Sequence, residues 1–273
     1  MLNTHRQLQP MTDDMLRATA PSIFAMDKHE SRSDRYTYIP TFDVVQAMRR
    51  EGFVPVLAKQ SRTRIPGKAP FTKHMIRFQR LDAPAVSNLG DVVASLCLVN
   101  AHDGTAAYHL ISALDRLICL NGLTAKLADM GEIRVQHSGN IIERVVDGSF
   151  KVIEASAVAM EQAYRWNAIT LDSQETLAFG AAAARLRFSS DQNVSVPALV
   201  APRREADRDP TLWNVFNRAQ ESLLRGGQRY VTQGSETTRA RRLRVRPVNS
   251  IDKDVGLNQA LWTLAAEMAK LKA

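Results

Sequence analysis

The chain has 273 residues, 45% of them hydrophobic, which suffices for one large domain, or a domain with an appendage, around a substantial core. The net charge of +8 and the isoelectric point of about 9.8 favour an anionic partner such as nucleic acid; a merely solvated basic surface is the alternative. No apolar stretch reaches the roughly 20 residues that span a bilayer, and the N-terminus lacks the basic-then-apolar order of a signal peptide. We therefore predict a cytoplasmic protein with no membrane partner.

The first part of the chain predicts a helix followed by paired strands. Residues 1–30 have weak periodicity and are predicted to form a partly ordered arm, and residues 36–39 form a short β-type run before Pro40. Thr41 is a suitable cap for a helix that ends at Gly52. Residues 53–64 and 71–81 are predicted strands on either side of a loop at 65–70. In the second strand Lys73 and Arg77 share one face, which predicts a half-buried strand with a charged face.

We expect the sheet to be organised around residues 92–123. An apolar run at 92–99 is followed by Asn-Ala-His-Asp-Gly-Thr at 100–105, which is rich in turn-forming residues, and then by a second apolar run at 108–120. This pattern predicts a β-hairpin in the middle of the sheet. A helix is the alternative for the second arm, because periodicity does not distinguish the two in a nearly all-apolar run. The only cysteines, Cys97 and Cys119, are predicted to be buried free thiols.

Beyond this hairpin the sequence predicts mainly helices. A strand at 132–137 is followed by a helix at 148–167 and by a second helix that Asp172 caps and that runs to Leu186. Residues 189–210 are predicted to be a loop or linker. An amphipathic helix at 211–225 ends at two glycines, residues 234–247 are predicted to be mobile, and a last helix at 255–271 carries apolar residues at the spacing of a docking face. These docking residues are Leu257, Leu261, Leu264 and Met268.

The elements together predict an α+β fold, a mostly antiparallel β-meander sheet with packed helices and a C-terminal helical appendage. The predicted domain organisation is an N-terminal arm at 1–30, an α+β core domain at 31–188, a linker at 189–210 and a helical C-terminal region with a basic segment at 211–273. No internal repeat interrupts this order.

Basic residues are concentrated in the predicted strand pair. Residues 49–80 contain nine lysines and arginines against Glu51 alone, so this segment carries a net charge equal to that of the whole chain. A basic hairpin interleaved with Phe53, Phe71 and Phe78 is typical of a platform that neutralises the backbone of a single strand and stacks its bases; a place for these rings in the core is the alternative. A second basic segment lies near residues 239–246, with a solvated linker as its alternative. The predicted nucleic-acid-binding residues are Lys59, Arg62, Arg64, Lys68, Lys73, Arg77, Arg80, Arg241, Arg242 and Arg244.

The search for enzyme motifs gives little. The sequence contains no phosphate-binding loop of the GxxxxGK type, no GxGxxG after a strand and no histidine spacing typical of a metal site. His102 and Asp103 form a possible metal or general-base pair, but their place between two apolar runs favours a role in shaping the turn. We therefore predict no catalytic residue, no metal ligand and no cofactor, and an enzyme is the less favoured alternative.

Several runs of the sequence resemble a known family. These are HESRSDRYTYIPT at 29–41, REGFVPV at 50–56, QSRTR at 60–64, FTKHMIRF at 71–78, LVNAHDGTAAYHL at 98–110, CLNGL at 119–123 and IDKDVGLNQALW at 251–262. They closely resemble the domain-of-unknown-function family nine-three-two, the YafZ/YfjQ type, over nearly the whole chain. The resemblance implies a protein borne on a phage, plasmid or other mobile element.

A second resemblance concerns mechanism. Tyr-x-Tyr-Ile-Pro at 36–40, a helix with Val44 and Val45, and then Gly52-Phe53 with a β-meander are similar to the single-strand annealing proteins of the Redβ, RecT, Erf and Rad-fifty-two group. This resemblance implies ring or filament homo-oligomers that anneal single-stranded DNA without ATP or catalytic residues, with the basic hairpin along the DNA backbone. A metal-dependent nucleic-acid-processing enzyme and a protein-interaction or anti-defence factor that docks through the last helix are the alternatives.

Overall fold

The computed structural model describes residues 9–31, 38–82, 92–116, 121–124, 132–135, 140–190, 192–232, 239 and 241–272. By their contacts, residues group into two compact units, 1–160 and 161–273. The domain boundaries expected from the sequence stay predictions.

The first unit is α+β. Its helices are α1 (Asp13–Thr19), α2 (Thr41–Arg50) and most of α3 (Ile141–Asn167). Its sheet contains β1 (Phe53–Gln60), β2 (His74–Arg80), β3 (Val92–Asn100), β4 (Tyr108–Arg116), β5 (Asn121–Thr124) and β6 (Glu132–Val135). The strands β1 to β5 are adjacent in chain order, β6 also pairs with β4, and every pairing is antiparallel. The predicted α+β class and the antiparallel meander are confirmed.

The predicted central hairpin is confirmed as the middle of this sheet. Strands β3 and β4 pair over their length, with Leu96 opposite Ser112 and Leu98 opposite Leu110, so the second arm is a strand and not a helix. Gly104 takes the positive φ of 76° that the turn needs. Cys97 is buried and free, as predicted, whereas Cys119 lies outside the described residues.

One face of the sheet forms the core of the first unit. Ile76, Phe78, Leu96 and Leu98 alternate along β2 and β3 and pack with residues of α1, α2 and α3. The N-terminal segment differs from the expected arm, because Leu16 of α1 and other residues at 20–23 are fully buried in this core. Of the β-type run predicted at 36–39, residues 36 and 37 lie outside the described part, and residues 38 and 39 are not in a strand.

The second unit is mainly helical. It contains the end of α3, α4 (Ser173–Arg185), the one-turn α5 (Val196–Leu199), α6 (Leu212–Arg225) and α7 (Ile251–Leu271). Asp172 caps α4 through a capping box with Glu175, as predicted. Three short strands, β7 (Gln192–Val194), β8 (Arg229–Thr232) and β9 (Arg242–Arg244), form a separate antiparallel sheet.

This small sheet corrects two sequence-based expectations. Residues 192–194 belong to a strand that pairs with β8, so the segment at 189–210 is not simply a loop. Residues 242–244 are likewise paired with β8, where Leu243 lies opposite Tyr230, so this part of the predicted mobile segment is ordered. Pairing with a strand far along the chain explains both, because neither three-residue strand has a local pattern strong enough to identify it.

The last helix uses its apolar face inside the second unit. Leu257, Leu261 and Trp262 are buried, and Trp262 contacts the rings of Trp166 and Phe216 at centroid distances of 4.4 and 6.0 Å. The predicted docking face therefore packs against the chain's own α6 and end of α3. A partner that docks on this face would have to displace that packing, which removes the basis for the interaction-factor alternative.

Candidate nucleic-acid interface

The connection between β1 and β2 is a shaped loop that presents basic residues. The amide of Gln60 donates to the carbonyl of Ala69 at 2.7 Å and to the hydroxyl of Thr72 at 3.0 Å, and Thr72 in turn donates to the carbonyl of Ser61. Gly67 provides a left-handed turn with a φ of 73°. Residues 61–73 are thus held by side-chain hydrogen bonds at the base of the loop.

The predicted basic residues of this hairpin fall into groups with different availability. Arg62 and Arg64 are exposed and make no hydrogen bond or ion pair with any residue that the structure describes. Lys59 and Lys73 are half-buried. Lys68 forms an ion pair with the buried carboxylate of Asp103 at 3.1 Å. Arg62 and Arg64 are therefore the most accessible cations of the hairpin.

Arg80 is held at the far end of β2. Its guanidinium makes two hydrogen bonds to Asp82, at 2.8 and 2.7 Å, and it lies over the rings of Phe53 and Phe150 at 5.6 and 5.7 Å from their centroids. The bidentate contact to Asp82 raises the pKa of Arg80 and lowers that of Asp82. A phosphate would have to compete with this carboxylate.

Arg77 corrects the prediction of a charged strand face. Its side chain is buried, with 3% of its area exposed, and its Nη1 forms an ion pair with Oδ1 of the buried Asp115 at 2.8 Å. The amide of Gln79 donates to the other carboxylate oxygen at 3.0 Å. The alternation of β2 does place Arg77 on the face opposite Ile76, but this face is also buried. Arg77 is therefore not available to a phosphate.

The aromatic platform is also corrected. Phe53 and Phe78 are fully buried in the core of the first unit, which leaves their faces inaccessible to bases. Only Phe71 is partly exposed, and its ring contacts His29 edge-on at 5.4 Å. The core alternative is thus confirmed for two of the three rings.

The small sheet of the second unit exposes a compact group of arginines. Arg229 lies directly opposite Arg244 and Val231 directly opposite Arg242, so these four side chains share one face of β8 and β9. All four are exposed. We call Arg229, Arg242 and Arg244 the arginine face. Sequence analysis identified Arg242 and Arg244 but missed Arg229, whose alternation with Tyr230 and Val231 after two glycines is its only local signal.

No carboxylate neutralises the arginine face within the described residues. None of its three arginines forms an ion pair there, and the only hydrogen bond of their guanidinium groups runs from Nε of Arg244 to the carbonyl of Gly227 at 3.0 Å. Like charges directly opposite on neighbouring strands destabilise a sheet. The arrangement therefore retains an unfavourable contact that a bound anion would relieve.

Arg241 lies beside the arginine face at the start of β9. Its backbone exchanges hydrogen bonds with Thr232, of which the amide-to-carbonyl bond is 3.0 Å long, and the residue is exposed. Its alternation places it on the opposite face from Arg242. Residues 233–238 and 240, which complete the predicted mobile segment, lie outside the described part of the chain.

A buried polar cluster joins α2 to the central strands of the first unit. The Thr41 hydroxyl lies 2.9 Å from Nε2 of His74 and 3.1 Å from Nε2 of His102, and it accepts a hydrogen bond from the amide of Asn100 at 3.0 Å. On the other side of the ring, Nδ1 of His74 is 2.9 Å from the hydroxyl of Ser22. Burial lowers the pKa of His74 to about 3, and the neighbouring His102 adds to this effect.

We expect this cluster to make stability depend on pH. Because the folded-state pKa of His74 lies below its ordinary value of 6.5, the unfolded chain takes up the proton first, so the stabilisation is complete above about pH 6.5 and is lost toward pH 3. Between pH 7 and pH 5 the contribution of His74 should fall by about 2 kcal/mol. Urea unfolding at the two pH values should show a smaller loss for His74→Gln than for the wild type. Equal losses would contradict the assignment.

The same cluster decides between the two interpretations of His102 and Asp103. His102 is fully buried, and Asp103 accepts hydrogen bonds from the amide and hydroxyl of Thr105 at 3.0 and 2.5 Å. Burial opposes ionisation of Asp103, but these bonds and Lys68 outweigh it, so the pKa of Asp103 lies below its usual value. Both residues hold the turn in place. Among the described residues no group of three histidine, cysteine or acidic side chains is arranged to hold a metal ion.

The described helices also bear on the membrane. None of them is long and apolar enough to cross a bilayer.

Comparison with known proteins gives a family and close relatives. The model of the family described as "Domain of unknown function (DUF932)" matches residues 28–262. The chain is 37% identical to the UPF0380 protein YafZ of Escherichia coli (strain K12) over 264 residues, which cover 96% of this chain and 93% of that protein. It is 36% identical to the UPF0380 protein YfjQ of the same organism over equal shares. No solved structure matches the chain significantly. The chain therefore belongs to the DUF932 family.

Proposed function

We propose that the protein binds single-stranded nucleic acid, preferentially single-stranded DNA, and that the arginine face is its principal phosphate-binding surface. The observation that carries this proposal is the exposed cross-strand pair of Arg229 and Arg244, which has no carboxylate partner among the described residues. A sheet that keeps two like charges side by side loses stability, so the arrangement is better suited to an anionic ligand than to a free surface.

The neighbours of the arginine face favour a single strand. Val231 lies among the three arginines and is 42% exposed. A surface that combines cations with an exposed apolar side chain suits a ligand that offers both phosphates and unstacked bases, and only a single strand offers both at once. Arg62 and Arg64 of the first unit form a second exposed pair of cations for the same type of ligand.

The wider proposal is ATP-independent annealing of complementary strands by a cytoplasmic homo-oligomer, a ring or a filament, that serves recombination of a phage or plasmid. It is supported by the similarity of the sequence to the Redβ and Rad-fifty-two group and by the antiparallel meander with packed helices in the first unit. The predicted backbone contacts are then Arg62, Arg64, Lys59 and Lys73 on the hairpin and Arg229, Arg241, Arg242 and Arg244 on the small sheet. Light scattering with and without oligonucleotide tests the assembly state.

The triple substitution Arg229→Gln, Arg242→Gln and Arg244→Gln tests the binding surface. We expect binding to a labelled single-stranded oligonucleotide to weaken and the slope of log K against log salt to become shallower by about 2, because each phosphate contact on a single strand contributes roughly 0.7. The free energy of unfolding should stay equal or rise slightly, since the like-charge contact is removed. Fluorescence anisotropy across a salt series measures the first effect, and thermal unfolding the second.

A matched control removes the same charge elsewhere. Arg165, Arg208 and Lys270 are exposed and each is paired with a carboxylate of its own helix or turn. The triple glutamine variant at these positions should retain the affinity and the salt slope of the wild type. Equal weakening in both variants would reduce the effect to net charge, and unchanged binding by the arginine-face variant would refute its role.

A further inference from the structure

A cavity of about 570 Å³ lies within the second unit, between the end of α4, residues 247–250 and the first turns of α7. Two basic side chains line it, Arg187 and Lys253, together with the polar Asn249 and Ser250, and half of its ten lining residues are apolar. No carboxylate is among them. Cavities of this size hold small organic ligands, and this lining suits one with an anionic group and an apolar or aromatic body.

Arg187 provides the first sign of a missing anion. One terminal nitrogen, Nη2, donates to the carbonyl of Arg246, while Nη1 is buried and has no hydrogen-bond partner in the described part of the chain. No ion pair compensates the charge there, and burial lowers the pKa of this guanidinium. A charged donor that is buried and unsatisfied is costly to a fold. An anion in the cavity would complete its hydrogen bonding.

Gly256 provides a second, independent sign. It lies inside α7 and lines the same cavity, and a Cβ atom built on it would meet no atom within 4 Å. Its φ is not positive, so neither backbone conformation nor packing requires glycine here, although glycine weakens a helix interior. A bare backbone facing an open cavity allows a ligand to approach closely. Space for a ligand explains why this glycine is compatible with a folded helix of 21 residues.

We propose that this cavity binds a nucleoside monophosphate, either as a free nucleotide or as the 5′-phosphorylated end of a strand. Arg187 and Lys253 hold the phosphate, Asn249 offers the donor and the acceptor that pair with a base edge, and the body of the nucleotide lies against Gly256 and Leu257. The site shares no residue with the arginine face, so it goes beyond the proposed function and does not depend on it.

Calorimetric titration of the full chain with dAMP tests the proposal. We expect dAMP to bind at least 10-fold more tightly than deoxyadenosine, inorganic phosphate or ribose 5-phosphate, since only dAMP offers both phosphate and base. Arg187→Gln should weaken dAMP binding by 10- to 100-fold, whereas Lys270→Gln, at the other end of α7, should have no effect. Equal binding of dAMP and deoxyadenosine, or of dAMP to wild type and Arg187→Gln, would overturn the site. Equal binding of ribose 5-phosphate would overturn its assignment to a nucleotide.

Gly256→Ala separates loss of ligand from loss of fold. It should raise Tm by about 2–4 °C, because alanine strengthens the helix, and still weaken dAMP binding, because its methyl group occupies ligand space. A variant that is more stable and binds dAMP as well as the wild type would refute the assigned space. A 5′-phosphorylated trinucleotide that binds more tightly than dAMP assigns the site to strand ends, and the reverse order assigns it to the free nucleotide.

Two variants keep this test distinct from that of nucleic-acid binding. The arginine-face triple variant should bind dAMP as the wild type does. Arg187→Gln should retain the salt-dependent binding of an unphosphorylated oligonucleotide. If the arginine-face variant loses dAMP binding as well, the two sites are one and the present proposal fails.

Discussion

Asp115→Ala is expected to lower the free energy of unfolding by about 3–5 kcal/mol, among the largest effects of any single substitution in this chain. The substitution leaves the guanidinium of Arg77 buried without its carboxylate, and it also removes the acceptor of the Gln79 amide. A charge buried in this way has no water to replace its partner. Urea unfolding followed by circular dichroism measures the loss, and a loss below about 1 kcal/mol would contradict a buried ion pair.

The double substitution Arg77→Met and Asp115→Leu is the matched control. It removes both charges and fills similar volume, and replacement of a buried pair by apolar residues is often neutral or stabilising. We expect the double variant to be more stable than Asp115→Ala. If Arg77 instead served DNA binding, the double variant would lose affinity, whereas we expect its oligonucleotide binding to match that of the wild type.

Thr41→Val is expected to cost about 3 kcal/mol, because the substitution preserves shape but leaves buried polar groups without their shared partner, at roughly 1–3 kcal/mol for each. Those groups are Nε2 of His74, Nε2 of His102 and the amide of Asn100. Thermal and urea unfolding measure the cost.

Thr263→Val provides the control for this effect, because Thr263 is exposed on α7 and its hydroxyl bonds only to the carbonyl one turn earlier. This change should alter stability by less than about 0.5 kcal/mol. The amide of His102 donates to the carbonyl of Phe71, so in Thr41→Val we also expect faster hydrogen exchange in the loop that carries Arg62 and Arg64. Similar costs for the two threonine variants would show that the hydroxyl of Thr41 is not the centre of the cluster.

Local chemistry in the sequence determined most of the elements. The turn residues at 100–105 and their apolar flanks predict the hairpin of β3 and β4, Asp172 with Glu175 predicts the start of α4, and the spacing of apolar residues predicts α6 and most of α7. These signals lie within a few residues of the feature that they specify, so the sequence by itself determined the α+β class. The quoted runs also determined the family.

Only the tertiary structure decided which basic and aromatic residues meet solvent. Arg77 and Lys73 have the same parity along the chain, but Arg77 lies within reach of Asp115, 38 residues away, and is buried with it. Arg229 and Arg244 form one face because two strands 15 residues apart pair in a particular register. Periodicity specifies which residues share a face of an element, whereas burial and charge pairing depend on what packs against that face. The location of the candidate interface therefore follows from long-range contacts, which the sequence pattern does not contain.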